Sequence, residues 1–344
     1  MLPADLTLLA IESSCDDTAA AVLTGGRVAS SVVASQRIHE GFGGVVPELA
    51  SRAHQRLIVP TVEAALAEAG VAKGALDGVA VTYGPGLAGS LLVGLSFAKA
   101  LALGLNVPLV GVNHLEGHVY SVFIEEPRPA FPYLCLTVSG GHTLLTLVRA
   151  GFVHEELGRT RDDAAGEAFD KVAKLLGLGY PGGPAVDRLA AEGDPSFLRL
   201  PTPRLPGEDG RPGFAFSFSG IKTAVLYTLR DLPEPERRRV LEDHVADVCA
   251  SFQRAVVDAL VGALRDAVRA TGVRDVAVVG GVSANRELRA AAQAAAEEDG
   301  FRLYVPALRY SVDNAAMIAV TGAFKLAAGL TSPLSLSAEP ALRL

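Results

Sequence analysis

The chain has 344 residues, with 31 Lys and Arg against 38 Asp and Glu, for a formal net charge of −7. That length suggests two lobes rather than one core, and 49% hydrophobic residues without a Trp fit a globular α/β protein and exclude a disordered one. The acidic balance argues against generic nucleic-acid affinity, which needs Lys and Arg, although Arg237, Arg238 and Arg239 form one basic run on what reads as a solvated helix face.

Cys15, Cys135 and Cys249 are odd in number and widely spaced. They make neither a disulfide framework nor a CxxC metal site, so a reducing cytoplasm is expected. The N-terminus carries Asp5 and no basic leader pattern. The richest apolar run, 91–105, is interrupted by Gly94, Ser96, Lys99 and Gly104, and no membrane partner is expected.

In chain order, residues 6–14 and 19–24 read as strands joined by a polar turn at Cys15, Asp16, Asp17 and Thr18, and 28–34 adds a third. Residues 47–69 read as helix, 79–82 as strand, 90–105 as helix and 107–112 as a buried strand. The pattern restarts with strands at 133–138 and 143–149 around the turn Ser139, Gly140, Gly141, His142. A helix covers 164–178, and 195–212 is a Pro- and Gly-rich exposed loop. A long helical stretch spans 233–271, with Gly262 a candidate for a break or bend. A strand at 276–279, a helix at 285–296, a strand at 302–305 and a helix from about 313 to 328 complete the chain. The βα alternation predicts a mixed or parallel sheet covered by helices, and two hairpins heading two halves suggest a duplicated lobe.

His114 and His118 lie four residues apart in NHLEGH, directly after the buried strand. Asn113 is the expected N-cap, so both imidazoles open a helix on one face. Such a pair can grip one metal ion if a carboxylate arrives from elsewhere; it can equally cap or pack. Asp313, which opens the last helix, is either that carboxylate or an N-cap.

Four Gly clusters stand at strand ends, at 84–90, 139–142, 182–184 and 280–285. Glycine lets a backbone approach a ligand, and amides at a following helix start favour an anion, so together they suggest a bound nucleotide. None matches a Walker loop or a Rossmann GxGxxG. HLEGH departs from the zinc-protease helix motif because Leu115, not Glu, follows the first histidine, and Ser219 with Lys222 lacks the companions of a penicillin-binding nucleophile.

Nine stretches in this order resemble the tRNA threonylcarbamoyladenosine biosynthesis transferases, bacterial TsaD and its archaeal and eukaryotic relatives: AIESSCDDT (10–18), VPELASRAH (46–54), GPGL (84–87), NHLEGH (113–118), VSGGH (138–142), DAAGEAFDK (163–171), YPGGP (180–184), GGVSAN (280–285) and DNAAM (313–317). The one departure is Ser311-Val312 ahead of Asp313.

The resemblance implies a two-lobed α/β fold of the actin, Hsp70 and sugar-kinase (ASKHA) type with its ligand in the interlobe cleft. A first lobe over 1–112, with a C-terminal helix from about 313 to 344 packing back on it, and a second lobe over 113–312 with a helical insertion at about 195–272 are expected. It implies Asp313 as third metal ligand beside His114 and His118, for one divalent ion per chain, Fe(II) ahead of Zn(II). Substrate contacts carry over to Thr137, Val138, Ser139, Gly140, Gly141, Asp170, Gly183, Asp187 and Asn285. The implied reaction transfers a threonylcarbamoyl group from threonylcarbamoyl-AMP to N6 of the adenosine 3′ of the anticodon, position 37, in tRNAs reading codons that begin with A. Asp16 or Glu12 is a candidate acceptor for the amine proton. A TsaB-like paralogue and a TsaE-like ATPase are the implied protein partners. The rival readings are an ATP-dependent small-molecule kinase and a noncatalytic partner subunit of the same fold.

Overall fold

A computed structural model describes residues 2–42, 44–203 and 213–344. The chain folds as two compact units, 1–127 with 306–344, and 128–305.

The first unit is built on β1 (Leu8–Glu12), β2 (Asp17–Thr24), β3 (Arg27–Ser35), β4 (Gly78–Gly84) and β5 (Leu109–Asn113), in the order β3-β2-β1-β4-β5. β1 pairs antiparallel with β2 and parallel with β4, and β4 is parallel to β5. Helices α1 (Pro47–Ala69) and α2 (Ala88–Leu105) cover one face, where Leu9, Ile11, Val79 and Val81 meet Ile58, Val62, Leu95 and Ala98. The alternate residues Leu8, Ala80 and Val112 lie under Gly322 of a later helix. Both faces are therefore buried, which is why β1, β4 and β5 read as unbroken apolar runs rather than alternating ones. α2 is long and apolar enough, from Ala88, to cross a membrane by length and composition; Ser90, Leu91, Gly94, Leu95, Ala98 and Ala102 are nevertheless buried, the pattern of a core helix packed on a sheet.

After β5 comes α3 (His114–Tyr120). The second unit repeats the scheme. Its strands are β6 (Tyr133–Val138), β7 (Thr143–Arg149), β8 (Val153–Arg159), β9 (Asp275–Val279) and β10 (Arg302–Tyr304), in the order β10-β9-β6-β7-β8. Read from β8, this is the first sheet's order again, with the same antiparallel hairpin and the same two parallel pairings. Its helices are α4 (Ala165–Leu175), α5 (Gly182–Ala190), α6 (Ser219–Asp231), α7 (Glu234–Asp243), α8 (Val245–Thr271) and α9 (Arg286–Asp299). α10 (Leu308–Ser311) and α11 (Ala315–Ala327) return the chain to the first unit.

Two expectations are corrected. The lobe boundary falls at 127/128 instead of 112/113, because α3 packs on α11 and so stays with the first unit. The helical stretch expected within 195–272 is present as α6, α7 and α8, and α8 braces the second unit by burying Val248, Phe252, Val256, Leu260 and Leu264 at helical spacing in its core. The helix break comes at His244, between α7 and α8, whereas α8 runs through Gly262 without interruption, its packed face outweighing about 1 kcal/mol of glycine penalty. Of the expected loop at 195–212, residues 195–203 carry neither helix nor strand, and 204–212 lie outside the described residues.

Candidate metal centre and glycine turns

Asn113 caps α3 as its type predicts: its side-chain oxygen accepts from the Leu115 amide at 2.8 Å. His114 and His118 follow on the same face, 8% and 0% exposed, with ring centroids 4.8 Å apart and nearly perpendicular planes. Glu116, between them, instead forms an ion pair with Lys325 of α11 at 2.5 Å. The role of Asp313 is resolved by its neighbour. Asn314 is the cap of α11, accepting from the Met317 amide at 2.9 Å, so Asp313 is released from capping. Its Oδ1 lies 3.1 Å from His118 Nε2 and 3.4 Å from His114 Nε2.

The ligand atoms of His114, His118 and Asp313 all lie within 4.8 Å of one another. Two Nε2 atoms converging on one carboxylate oxygen, with the other nitrogen of His114 engaged elsewhere, are the donor set that a divalent ion takes. Two imidazoles and a carboxylate suit Fe(II) or Zn(II) and leave coordination positions open. Charges agree. Burial disfavours a protonated His114, but the Asp313 and Glu12 carboxylates beside it hold its pKa well above the ordinary imidazole value. Burial likewise pushes Asp313 up, yet His114 and then His118 hold it well below the carboxylate range. The metal-free His114 thus holds its proton more tightly than an ordinary imidazole, and an ion taking its Nε2 would compete with that proton.

Glu12 is placed behind this group. Fully buried at the end of β1, it accepts from the Ser14 amide and the Thr82 hydroxyl, both at 2.5 Å, and its Oε2 is 3.1 Å from His114 Nδ1. Burial raises its carboxyl, but the His114 charge outweighs this and leaves it lowered. Both of its oxygens are engaged inside the protein. Asp16, in the β1–β2 turn, is partly exposed. Ser14, whose Oγ is 3.1 Å from His114 Nδ1, and Thr82 are functional neighbours that spacing alone did not single out.

In the second unit Thr137 and Val138 are buried at the end of β6. The Ser139 amide donates to the His142 carbonyl at 2.8 Å and the His142 amide to Ser139 Oγ at 3.1 Å, closing a turn with Gly140 and Gly141 at its tip. A Cβ on either glycine, or on Gly183 or Gly281, would meet nothing within 4 Å. The Gly166 amide at the start of α4 donates to the Ser139 carbonyl at 3.2 Å. Asp170 accepts from the Gly182 amide at 2.7 Å, tying α4 to the start of α5; burial raises its carboxyl while the Gly182 and Gly183 amides pull it back. Gly280 (φ +89°) brings the next turn against the Val138 carbonyl. The turns at 139–142, 182–183 and 280–285 thereby form one rim at the carboxyl ends of β6 and β9, the usual ligand edge of such sheets.

Two expected contacts are engaged inside the protein. Asp187 holds Arg286, with Nε at 2.8 Å, and Asn285 caps α9 through the Leu288 amide while donating to Gln253 at 2.6 Å. Arg286 and Gln253 carried no signal in the sequence. In the cluster at 84–90 a Cβ on Gly84 would collide with the Glu339 carbonyl and one on Gly86 (φ +156°) with the Ser14 carbonyl. These glycines seat the C-terminal segment and the β1–β2 turn.

Two five-stranded sheets of one strand order give a fold of the actin, Hsp70 and sugar-kinase type, and the first unit adds a His-His-Asp group. Solved structures share the fold. Full-length HypF in its phosphate- and nucleotide-bound form is similar at TM-score 0.62 and 13% identity, over 94% of this chain and 46% of that one. Component A of the Acidaminococcus fermentans (R)-2-hydroxyglutaryl-CoA dehydratase is similar at TM-score 0.53 and 16% identity, over 94% and 99%. Residues 27–320 match the TsaD family, tRNA N6-adenosine threonylcarbamoyltransferase. The protein of that description from Salinibacter ruber is 62% identical over 340 residues, covering 98% of this chain and 100% of that one. The one from Symbiobacterium thermophilum is 54% identical, covering 98% and 96%. The chain belongs to the tRNA N6-adenosine threonylcarbamoyltransferase family and is a transferase.

Proposed function

We propose that the chain transfers a threonylcarbamoyl group from threonylcarbamoyl-AMP to N6 of the adenosine 3′ of the anticodon in tRNA, forming t6A, with a divalent metal held by His114, His118 and Asp313. The observation that carries this reading is the convergence of those three side chains in a chain so similar to a named threonylcarbamoyltransferase. When bound, the metal supplies Lewis-acid polarisation and charge neutralisation.

The chain's own residues do the rest. An acyl adenylate already carries a good leaving group, so the protein has to hold the carbonyl near the amine and stabilise developing negative charge, and no covalent nucleophile is required. The open tips at Gly140, Gly141 and Gly183 admit a ligand to the backbone, whose amides offer donors. Of the two candidate acceptors for the amine proton, Glu12 is engaged inside the protein and Asp16 is partly exposed.

An acidic chain docks polyanionic tRNA poorly by itself. A TsaB-like paralogue and a TsaE-like ATPase are the proposed partners. α2 supports a pairing role, since its outer stripe of Ala88, Leu92, Ser96, Ala100, Leu103 and Gly104 is exposed and free of charge. The test supplies the purified chain with threonylcarbamoyl-AMP and unmodified tRNA, with and without those partners, and follows modified adenosine over many turnovers. Turnover that the partners raise is expected. No modified adenosine in any combination would overturn the activity, and an unchanged rate on adding the partners would overturn their requirement.

A further inference from the structure

We infer that Glu12 is a positioning residue of the metal centre: it sets the tautomer and the angle of His114 and does not act on the substrate. The inference rests on the metal reading above.

An imidazole that presents Nε2 to an ion must carry its proton on Nδ1, and a ring whose Nδ1–H is held by a carboxylate is fixed in both tautomer and direction. Glu12 Oε2 is 3.1 Å from His114 Nδ1, on the side of the ring away from Asp313. The carboxylate is itself anchored. Its Oε1 takes the Ser14 amide and its Oε2 the Thr82 hydroxyl, each at 2.5 Å. Glu12 ends β1, Thr82 lies on the neighbouring parallel strand β4, and His114 starts α3. One side chain therefore fixes the metal helix to two strands of the sheet.

The other histidine lacks such support: Nδ1 of His118 is buried without a hydrogen-bond partner among the described residues. The centre's geometry thus leans on Glu12 through His114. Glutamine at this position cannot substitute. Three donors, the Ser14 amide, the Thr82 hydroxyl and His114 Nδ1–H, converge on two carboxylate oxygens, and a carboxamide offers one oxygen and turns an NH₂ on a donor. Removing such an outer partner typically weakens metal binding by roughly 10- to 100-fold.

The experiment is a chelator-competition titration of the full chain with Zn(II), and with Co(II) for its ligand-field spectrum, comparing wild type with Glu12→Gln and Thr82→Val. Thermal melting of each confirms folding. Glu12→Gln is expected to bind Zn(II) about 10- to 100-fold more weakly with an altered Co(II) spectrum. Thr82→Val, which keeps the carboxylate but frees one anchor, is expected to lose about fivefold, one hydrogen bond's worth, and carries the test if Glu12→Gln does not fold. Unchanged affinity and spectrum, with transfer lost, would assign Glu12 to the chemistry and overturn the inference. Absence of metal binding by the wild type would overturn the metal reading and this inference together.

Discussion

The two units share one strand order yet treat the same hairpin turn in opposite ways. In the first, the turn after β1 is packed shut: Ser13 Oγ donates to the Ser90 carbonyl, Ser90 Oγ and His54 Nε2 donate to the Cys15 carbonyl, each at 3.0 Å, and the Leu87 amide reaches the Ser14 carbonyl at 2.7 Å. In the second, the turn after β6 ends in Gly140 and Gly141 with open space around both. In the proposed function the first unit works through side chains, His114, His118 and Asp313, which sit against a buried network. In the proposed function the second works through backbone that glycine leaves accessible. A duplicated frame has thus been given two chemistries by the residues at its strand ends alone.

That contrast predicts separable defects. The largest effect is expected for His118→Ala, which should lower transfer by more than the roughly 100-fold upper range for an outer partner, while an adenylate analogue still binds the second unit in calorimetry. Loss of both together would break the comparison. Next, Gly141→Val should weaken that analogue by about tenfold, or 1.4 kcal/mol, with metal content unchanged by elemental analysis.

Smaller still, Gly84→Ala should lower stability by about 1–3 kcal/mol through overpacking against the Glu339 carbonyl. Denaturant titration measures this, and no loss would mean that the C-terminal segment seats loosely. The smallest effect concerns Asp17. Burial pushes its carboxyl up to about 6 from 3.8, against the Ser35 hydrogen bond, with Asp313 adding to the rise. A raised acid favours the fold below pH 3.8, and that contribution is lost as pH rises through 6. Asp17→Asn should therefore gain about 1 kcal/mol on wild type at pH 7, after allowing for solvent screening, and nothing near pH 4. A gain equal at both would refute the assignment.

Much of this was legible in the residues because local chemistry decides it. α1 runs from Pro47 to Ala69 as expected, since Pro suits a first turn and Gly70 adopts the left-handed conformation that ends a helix. The histidine pair and its cap were readable for the same reason. β8 was missed: VHEELGR is a sheet edge with four exposed positions and no apolar run. α5 was missed because its start, Gly182-Gly183-Pro184, looks like a turn, and it is Asp170 that holds it. Asp313 read equally as cap or ligand until Asn314 proved to be the cap. The place of Glu12 was hidden because its partners, Thr82 and His114, lie 70 and 102 residues away. No periodicity or spacing carries that information.

The central claim is that the first unit holds one divalent metal through His114, His118 and Asp313. Elemental analysis of anaerobically purified wild type and Asp313→Ala tests it most directly. The account predicts about one iron or zinc per chain in the wild type and a near-complete loss in the variant, both folded by circular dichroism. Full occupancy in Asp313→Ala, or none in the wild type, would contradict it.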